Sequence, residues 1–508
     1  MPVILKKFWK AISTGWVLEY PDPDNGPTDL YDTGSIGAVA TMPYFEKAIG
    51  ALSPVLRGFT VALMMMTGGL PSVFTGQLAD YYGQLSVVMA GALVFVCGVA
   101  LEGGSSKLAM FLVGRALAGF GQGMWLSNVS VYITEIAPSA DRGKFVSMPQ
   151  LMACFGVCSG YFTCYGTIQL ESSMSWRAPF IIQGILGAAL AISCLYLPSS
   201  PRWLILQGRR DEALHAVERL DISRAEAEKD ILRPNASNSP RKLSAKEFLN
   251  IFKKEYRGRT LLGLFILGMI QLCGIDGVLY YAPILFAQAG LPSGTASFLA
   301  SGVSAILMLV ISVPAFLYAD RWGRRASAIT GGIVLSTCMF IIGILYATSS
   351  VHAHSGVGRW LVIILIFTFA VSYCATWGVV GKIYASEIQP AQTRAAANSA
   401  AQGLNFFTNW LVAFTTPIFL ARSAFGAYFL FGGFSLLAVI VLAINMPETR
   451  GHSLESIQEA FQARVTRSPG FRIRGLFAGP SLIRPEQVNG SSSEGVLAGP
   501  LRIELGPV

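Results

Sequence analysis

The stretches YITEIAPSADRG at residues 132–143 and YASEIQPAQTRA at residues 384–395 repeat one pattern of residues. A tyrosine, a glutamate, a proline and an arginine occupy the same places in both, 252 residues apart (132 to 384). A second repeated pair consists of GQLADYYG at 76–83 in the first half and YADRWGRR at 318–325 in the second half. These repeats indicate that the chain contains two copies of one structural unit.

The composition predicts a membrane protein. Of the 508 residues, 53% are hydrophobic and only 13% are charged, whereas a soluble domain carries about 25% charged residues. Apolar runs recur that approach the length of about 20 residues needed for a helix to cross a bilayer. We predict an all-α polytopic protein whose spans are 30–46 (short), 57–78, 85–101, 108–128, 145–168, 178–197, 260–286, 295–318, 326–347, 359–384, 395–420 and 424–445.

The net charge of +9 does not indicate nucleic-acid binding, because the basic residues collect in particular loops. Lysine and arginine are concentrated in 202–259 and at Arg321, Arg324 and Arg325, and the alternate loops contain almost none. By the positive-inside rule these loops are cytoplasmic. Both chain termini are therefore expected in the cytoplasm.

The repeat and the basic central loop divide the chain into five parts. Within the loop, DEALHAVERL and SAKEFLNIFKKEY predict short amphipathic helices that lie on the membrane surface. Parallel six-helix repeats with a site between them are typical of alternating-access transporters. We expect an atypical segment at 1–29, a first six-helix bundle at 30–197, a cytoplasmic linker at 198–259, a second bundle at 260–446 and a largely disordered cytoplasmic tail at 447–508.

The sequence contains no pattern typical of catalysis or of a cofactor. All eight cysteines fall inside predicted spans, their spacing matches no metal site, and we interpret them as small packing residues. We find no nucleophile–base constellation and no phosphate-binding loop. We therefore predict neither enzymatic activity nor a cofactor or metal.

Ten motifs in order resemble those of the sugar porter family of the major facilitator superfamily, most closely its fungal members. This resemblance implies two six-helix bundles and transport of a monosaccharide or polyol, often together with protons. We expect a plasma-membrane monomer. The motifs are YDTGSIG (31–37), GRALAGFGQG (114–123), VYITEIAPSADRG (131–143), SWRAPFIIQ (175–183), SPRWL (200–204), QLCGIDGVLYYAPILF (271–286), DRWGRR (320–325), TWG (376–378), YASEIQP (384–390) and PETRGHSLESI (447–457).

The resemblance also assigns roles to residues, in three groups. The substrate cavity is implied to contain Gln150, Gln271, Asp276, Lys382, Asn405 and Asn409. Proton coupling is implied for Asp32 with Arg115. A charge cluster that closes the cytoplasmic side is implied for Asp80, Glu135, Arg142, Asp320, Arg324, Arg325, Glu387 and Arg394.

The chemistry of these residue types suits the roles, although each group has an alternative. Amide side chains both donate and accept hydrogen bonds, as sugar hydroxyls do, but amides also join helices inside membranes. An unpaired charge at the bilayer centre costs about 2.5–3.5 kcal/mol, so Asp32 and Arg115 should pair. Protonation of Asp32 would release Arg115, or the pair is permanent and structural. The repeated glutamates and arginines could also be solvated loop charges.

Several positions depart from the family pattern. Only Gly34–Phe45 is continuously apolar in the first span, which indicates either an incomplete helix that begins at Leu30–Asp32 or a misjoined exon. Tyr81, Gln84 and Leu85 replace basic residues, and Ser199 replaces an acid, so the cluster in the first half should be looser. These departures leave a non-transporting sugar sensor as an alternative.

Lys382 departs most from the family pattern, because it replaces a tryptophan that stacks on the sugar. It could pair with Asp276, meet an acidic group on a sugar acid or other small metabolite, or extend to the cytoplasmic interface, since Glu387 lies only five residues further on.

Overall fold

The computed structural model describes residues 26–136, 142–220, 250–253, 255–291, 294–318, 322–351, 356–389 and 393–449. In the first half the helices are α1 (Gly26–Val39), α2 (Pro43–Ile49), α3 (Pro54–Tyr82), α4 (Gln84–Gly103), α5 (Leu108–Ile136), α6 (Arg142–Thr167), α7 (Met174–Ser193), α8 (Pro201–Leu206) and α9 (Arg210–Arg219). In the second half they are α10 (Arg257–Leu272), α11 (Ile275–Tyr280), α12 (Ala282–Gln288), α13 (Gly294–Leu317), α14 (Arg324–Ala347), α15 (Val357–Ala375), α16 (Trp377–Glu387), α17 (Arg394–Arg422) and α18 (Ala424–Asn445). A 3₁₀ turn at Asn250–Phe252 completes the elements, and no strand occurs in these ranges.

The prediction of an all-α, multi-pass membrane protein is confirmed. Nine helices in the described part of the chain are long and apolar enough to cross a bilayer. Their outward faces carry exposed apolar side chains such as Leu93, Ile185, Val310 and Ile440. Such faces are stable against lipid but would be costly against water. The polar groups are instead directed towards the interior of the bundle.

Two predicted spans, 260–286 and 359–384, contain breaks in the helix that the sequence analysis did not predict. The first is interrupted at Gly274, whose φ of +91° favours glycine, and an added Cβ there would lie 2.6 Å from the Phe431 ring. The second is interrupted at Thr376, whose hydroxyl donates to the carbonyl oxygen of Ser372 at 2.6 Å. The breaks place Asp276 on α11 and Lys382 on α16, two short helices.

The first helix is short, as the sequence predicts, but it begins at Gly26 rather than at Leu30. Its 14 residues extend about 21 Å at 1.5 Å per residue, which is less than the roughly 30 Å of a bilayer core. The chain then turns at Ala40–Met42 and continues as α2. Asp32 lies in the middle of α1, while the predictions for residues 1–25 lie outside the described residues.

Only part of the predicted linker is described. DEALHAVERL lies largely in α9, and this amphipathic helix buries Ala213 and Ala216 against Leu204. Of SAKEFLNIFKKEY the structure describes residues from Asn250 onward, and the tail is described only to Thr449.

The two halves contact each other along several helix pairs. Helix α3 packs against α17, α6 against α13, and α1 against α11. A Cβ atom on Gly37 would lie 2.0 Å from the Tyr280 carbonyl oxygen, so this crossing requires glycine. The Tyr161 hydroxyl donates to the Leu279 carbonyl oxygen across the same interface. Between α6 and α15, the Sγ atoms of Cys154 and Cys374 lie 3.6 Å apart.

This thiol pair gives a direct test of how the halves meet. We expect copper phenanthroline to remove two electrons and two protons from Cys154 and Cys374 and so form a disulfide between the halves. The full chain would carry a protease site inserted within 221–249 and would be cleaved after oxidation in membranes. On a non-reducing denaturing gel the two fragments should then migrate together, and a reductant should separate them.

Two variants control this cross-link. Cys154→Ser should abolish it, whereas Cys97→Ser should leave it intact because Cys97 is exposed on α4. Fragments of the oxidised wild type that separate as fully as those of Cys154→Ser would contradict the packing of α6 on α15.

Candidate functional site

A cavity lies between the two halves and is lined by helices from both. It encloses about 750 Å³ of empty space, counting the part open to solvent. All six residues predicted to contact the cargo line it, together with Thr33 and Gln402, which the sequence analysis did not select. The polar lining side chains are Thr33, Gln150, Gln271, Asp276, Tyr373, Lys382, Gln402, Asn405 and Asn409.

Hydrogen bonds hold several of these side chains in place. Asn405 Nδ2 donates to the Leu267 carbonyl oxygen at 2.8 Å, and Gln271 Nε2 donates to Asn405 Oδ1 at 3.3 Å. Across the cavity, Lys382 Nζ donates to Gln150 Oε1 at 3.5 Å. Because Gln150 belongs to α6 and Lys382 to α16, this contact joins the halves.

Three buried oxygen atoms on the cavity wall have no hydrogen-bond partner among the described residues. They are Gln271 Oε1, Asp276 Oδ2 and Asn409 Oδ1. A buried acceptor left unsatisfied costs about 1–3 kcal/mol. A ligand that brings several O–H or N–H donors would satisfy all three. These three atoms are therefore candidate acceptors for O–H or N–H donors of a bound molecule.

Lys382 lies on this cavity wall and is partly buried. The structure therefore disfavours the interpretation in which its ammonium group extends to the cytoplasmic interface. Asp276 and Lys382 both line the cavity, which places a carboxyl group and an amino group on its wall.

The predicted pair of Asp32 and Arg115 is in contact, and both side chains are completely buried. Arg115 Nη1 lies 2.7 Å from Asp32 Oδ1, and Arg115 Nη2 donates to the Val61 carbonyl oxygen at 2.9 Å. Asp32 precedes Thr33, which lines the cavity and donates to the Tyr280 hydroxyl at 3.4 Å. The ion pair is thus one residue from the cavity wall.

A third charged group, Glu102, stands beside this pair and was missed by the sequence analysis. Glu102 Oε2 lies 3.6 Å from Arg115 Nη1, and the Glu102 side chain is 1% exposed. The available signal was an acid at the end of an apolar run, in LEGGSS (101–106). The predicted span ends at residue 101, whereas α4 continues to Gly103.

In the first half, the predicted gate glutamate is held by neutral groups. Glu135 Oε2 accepts from Gln84 Nε2 at 2.7 Å and from Ser200 Oγ at 2.6 Å. The backbone oxygen of Asp80 accepts from the Trp203 indole at 3.0 Å. Gln84, which replaces a basic residue of the family, therefore still contacts the glutamate, but without an ion pair.

In the second half the equivalent glutamate is held partly by charge. Glu387 Oε1 lies 3.4 Å from Arg324 Nη2, and Glu387 Oε2 accepts from Thr449 Oγ1 at 2.9 Å. Glu448 accepts from the backbone N–H groups of Arg324 and Arg325 at the N-terminus of α14, where the helix dipole favours an anion. The sequence analysis quoted Glu448 within a motif but did not assign it a contact.

The remaining gate residues occupy the ends of helices. Arg325 donates to the carbonyl oxygens of Met446 and Ala443, and Arg394 to that of Gln389. Arg142 and Arg394 are the first residues of α6 and α17, so these helices begin before the predicted spans 145–168 and 395–420. The side chain of Arg142, and all of Asp320, lie outside the described residues.

Comparisons with known proteins agree with this architecture. The profile of the family described as "Sugar (and other) transporter" matches residues 28–461. The MFS-type transporter criB of Aspergillus cristatus is 31% identical over 442 residues, which cover 86% of this chain and 91% of criB. The glucose transporter GlcP of Staphylococcus epidermidis is 28% identical, covering 86% of this chain and 94% of GlcP.

Among solved structures, the proton:xylose symporter XylE bound to 6-bromo-6-deoxy-D-glucose overlays with a TM-score of 0.73. The overlay covers 88% of this chain and 98% of XylE at 21% sequence identity, which shows a shared fold. The family profile spans both halves, the linker and every described part of the cavity and charge clusters. The chain therefore belongs to the sugar transporter family of the major facilitator superfamily.

Proposed function

We propose that this protein carries a monosaccharide or polyol across a membrane by proton symport with alternating access. The observation that carries the proposal is the set of unpaired buried oxygens around one cavity between the halves. The glucose-transporting relative and the fold shared with a proton:xylose symporter support the cargo class and the coupling.

In this mechanism the cargo supplies the hydrogen-bond donors that the buried oxygens of the cavity lack. Its hydroxyls donate to Gln271 Oε1, Asn409 Oδ1 and Asp276 Oδ2, and they accept from Lys382 and from amide N–H groups. Gln150 and Lys382 belong to opposite halves, so a cargo molecule that contacts both favours the state in which the halves are close. Binding energy is thereby used to select a conformation.

Coupling uses the ion pair of Asp32 and Arg115. Protonation of Asp32 removes the charge that holds Arg115 and so loosens α1 from α5. Because Thr33 follows Asp32 and lines the cavity, this movement changes the cargo site directly. A proton and a cargo molecule can then bind cooperatively.

The clusters around Glu135 and Glu387 act as the gate on the cytoplasmic side, where contacts form and break during each cycle. We further propose a monomer in the plasma membrane with both termini in the cytoplasm. The cavity residues bind and release cargo without chemical change, so the protein acts as a carrier and not as an enzyme.

Replacing Gln271 with alanine should weaken cargo binding, because it removes an oxygen acceptor and the hydrogen bond to Asn405. A loss of about 1–2 kcal/mol corresponds to an increase of about 5- to 30-fold in apparent KM. Uptake of labelled glucose, xylose and sorbitol in cells that lack their own hexose carriers measures this change.

The matched control is Gln183→Ala, which removes a buried amide from α7, outside the cavity lining. Its apparent KM should stay near the wild-type value. Equal KM values for wild type and Gln271→Ala, at normal surface expression, would remove Gln271 from the cargo site.

Replacing Asp32 with asparagine should uncouple transport, because an amide cannot exchange a proton at that position. In proteoliposomes with an inward proton gradient, the wild type should accumulate labelled sugar above equilibrium and lose this accumulation with a protonophore. Asp32→Asn should reach equilibrium only and should retain sugar exchange. Glu46→Gln, at a partly exposed acid on α2, is the control expected to accumulate sugar. Accumulation by Asp32→Asn at the wild-type level would disprove the coupling role.

A further inference from the structure

The two acids beside Arg115 create an imbalance of buried charge. Asp32, Glu102 and Arg115 have side chains that are 0%, 1% and 0% exposed. With both acids ionised, the three groups would carry one net negative charge in a water-poor interior. Buried charge that is not compensated is strongly unfavourable, so one proton on the two acids would make the group neutral.

The geometry lets either acid serve as the partner of Arg115. The same nitrogen, Arg115 Nη1, lies 2.7 Å from Asp32 and 3.6 Å from Glu102. Asp32 Oδ2 and both carboxylate oxygens of Glu102 are buried without a hydrogen-bond partner among the described residues. A small movement of the guanidinium group would therefore exchange one carboxylate for the other.

The packing of α4 against α5 keeps Glu102 at this position. A Cβ atom on Gly114 would lie 2.8 Å from Glu102 Cγ, so the glycine before Arg115 makes room for the acid. The Ser105 hydroxyl donates to the Glu102 carbonyl oxygen at 2.7 Å and fixes the end of α4. Glu102 is thus directed at Arg115 by the backbone as well as by charge.

Other charged and titratable groups near the trio have different partners or lie further away. Arg177 on α7 donates to the Ser105 carbonyl oxygen at 3.0 Å, and Arg57 on α3 lies 4.0 Å from Glu46. Tyr280 of α11, Tyr281 beside it and Cys164 of α6 are near Arg115 or Asp32 and are neutral in their ordinary state. In the described part of the chain, Arg115 is the only basic side chain within 4.0 Å of the Glu102 carboxylate.

We propose that Glu102 is a second proton-carrying residue of the coupling site and shares one proton with Asp32. In one form Asp32 is ionised and pairs with Arg115 while Glu102 holds the proton. In the other form that proton has moved to an Asp32 oxygen, and Glu102 has become the counter-ion of Arg115. The net charge of the trio is zero in both forms, and release of the proton to water completes the coupling step. This inference rests on the proposed proton symport.

Infrared difference spectroscopy of the purified full chain tests the shared proton without requiring transport. At neutral pH the wild type should show the carbonyl stretch of a protonated carboxyl group that is lost in Glu102→Gln. The same band should also be lost in Asp32→Asn, because Glu102 then ionises beside Arg115. Glu46→Gln should leave the spectrum unchanged.

The Asp32→Asn spectrum distinguishes a proton shared by Asp32 and Glu102 from a proton held permanently on Glu102. It also tests the proposal if Glu102→Gln fails to fold. A band that survives in Asp32→Asn would show that Glu102 is simply a permanently protonated side chain and would overturn the proposal. The proposal would also be overturned if the wild type showed no protonated-carboxyl band that depends on Glu102 or Asp32.

Sugar accumulation in proteoliposomes as a function of external pH supplies the second readout. In Glu102→Gln, Arg115 and a protonated Asp32 would together carry one positive charge. Protonation of Asp32 should therefore need a higher proton concentration. We expect the pH of half-maximal accumulation to move to more acidic values by about 1–3 pH units, whereas an unchanged pH profile would overturn the role in coupling. A wild type that takes up no sugar would disprove the proposed function, while the infrared result would still decide the shared proton.

Discussion

The structure depends on an ion pair that has no access to water. Asp32 and Arg115 meet at 2.7 Å with both side chains fully buried, and breaking such a pair without compensation costs several kcal/mol. Helix α1 packs within the first half mainly against α6, and the ion pair adds a charged contact between α1 and α5. Since Thr33 follows Asp32 and lines the cavity, the proposed change in the charge state of the pair would occur next to the cavity wall.

The two halves use different chemistry for the same task. In the first half Glu135 is held by an amide and a hydroxyl, and in the second Glu387 is held by Arg324 and Thr449. Neutral hydrogen bonds depend little on salt, whereas partly exposed ion pairs are screened by it. If the two clusters form the proposed gate, closure in the two halves should respond differently to ionic conditions, although the sequence repeats the glutamate in register.

Much of this architecture could be predicted from the sequence, because hydropathy, basic loops and repeated motifs are properties of continuous segments. The helix breaks at Gly274 and Thr376 could not, since they depend on contacts with Phe431 and on local backbone geometry. The cavity amides Gln150, Gln271, Asn405 and Asn409 could be assigned through the family resemblance, which implied no role for Gln402 or Glu102. Their position beside the cavity and beside Arg115 follows only from how the helices pack. The contact between Cys154 and Cys374 could not be predicted for the same reason. Their Sγ atoms lie 3.6 Å apart, although the residues are 220 positions apart in the sequence.

The central claim is that proton binding at the buried charges and cargo binding in the cavity are linked. Equilibrium binding of the transported sugar to the purified protein, measured by calorimetry across a range of pH, tests this link most directly. The account predicts a wild-type Kd that rises with pH by up to about tenfold per pH unit, and a Kd for Asp32→Asn that does not change with pH. A wild-type Kd that is equally independent of pH would contradict the account.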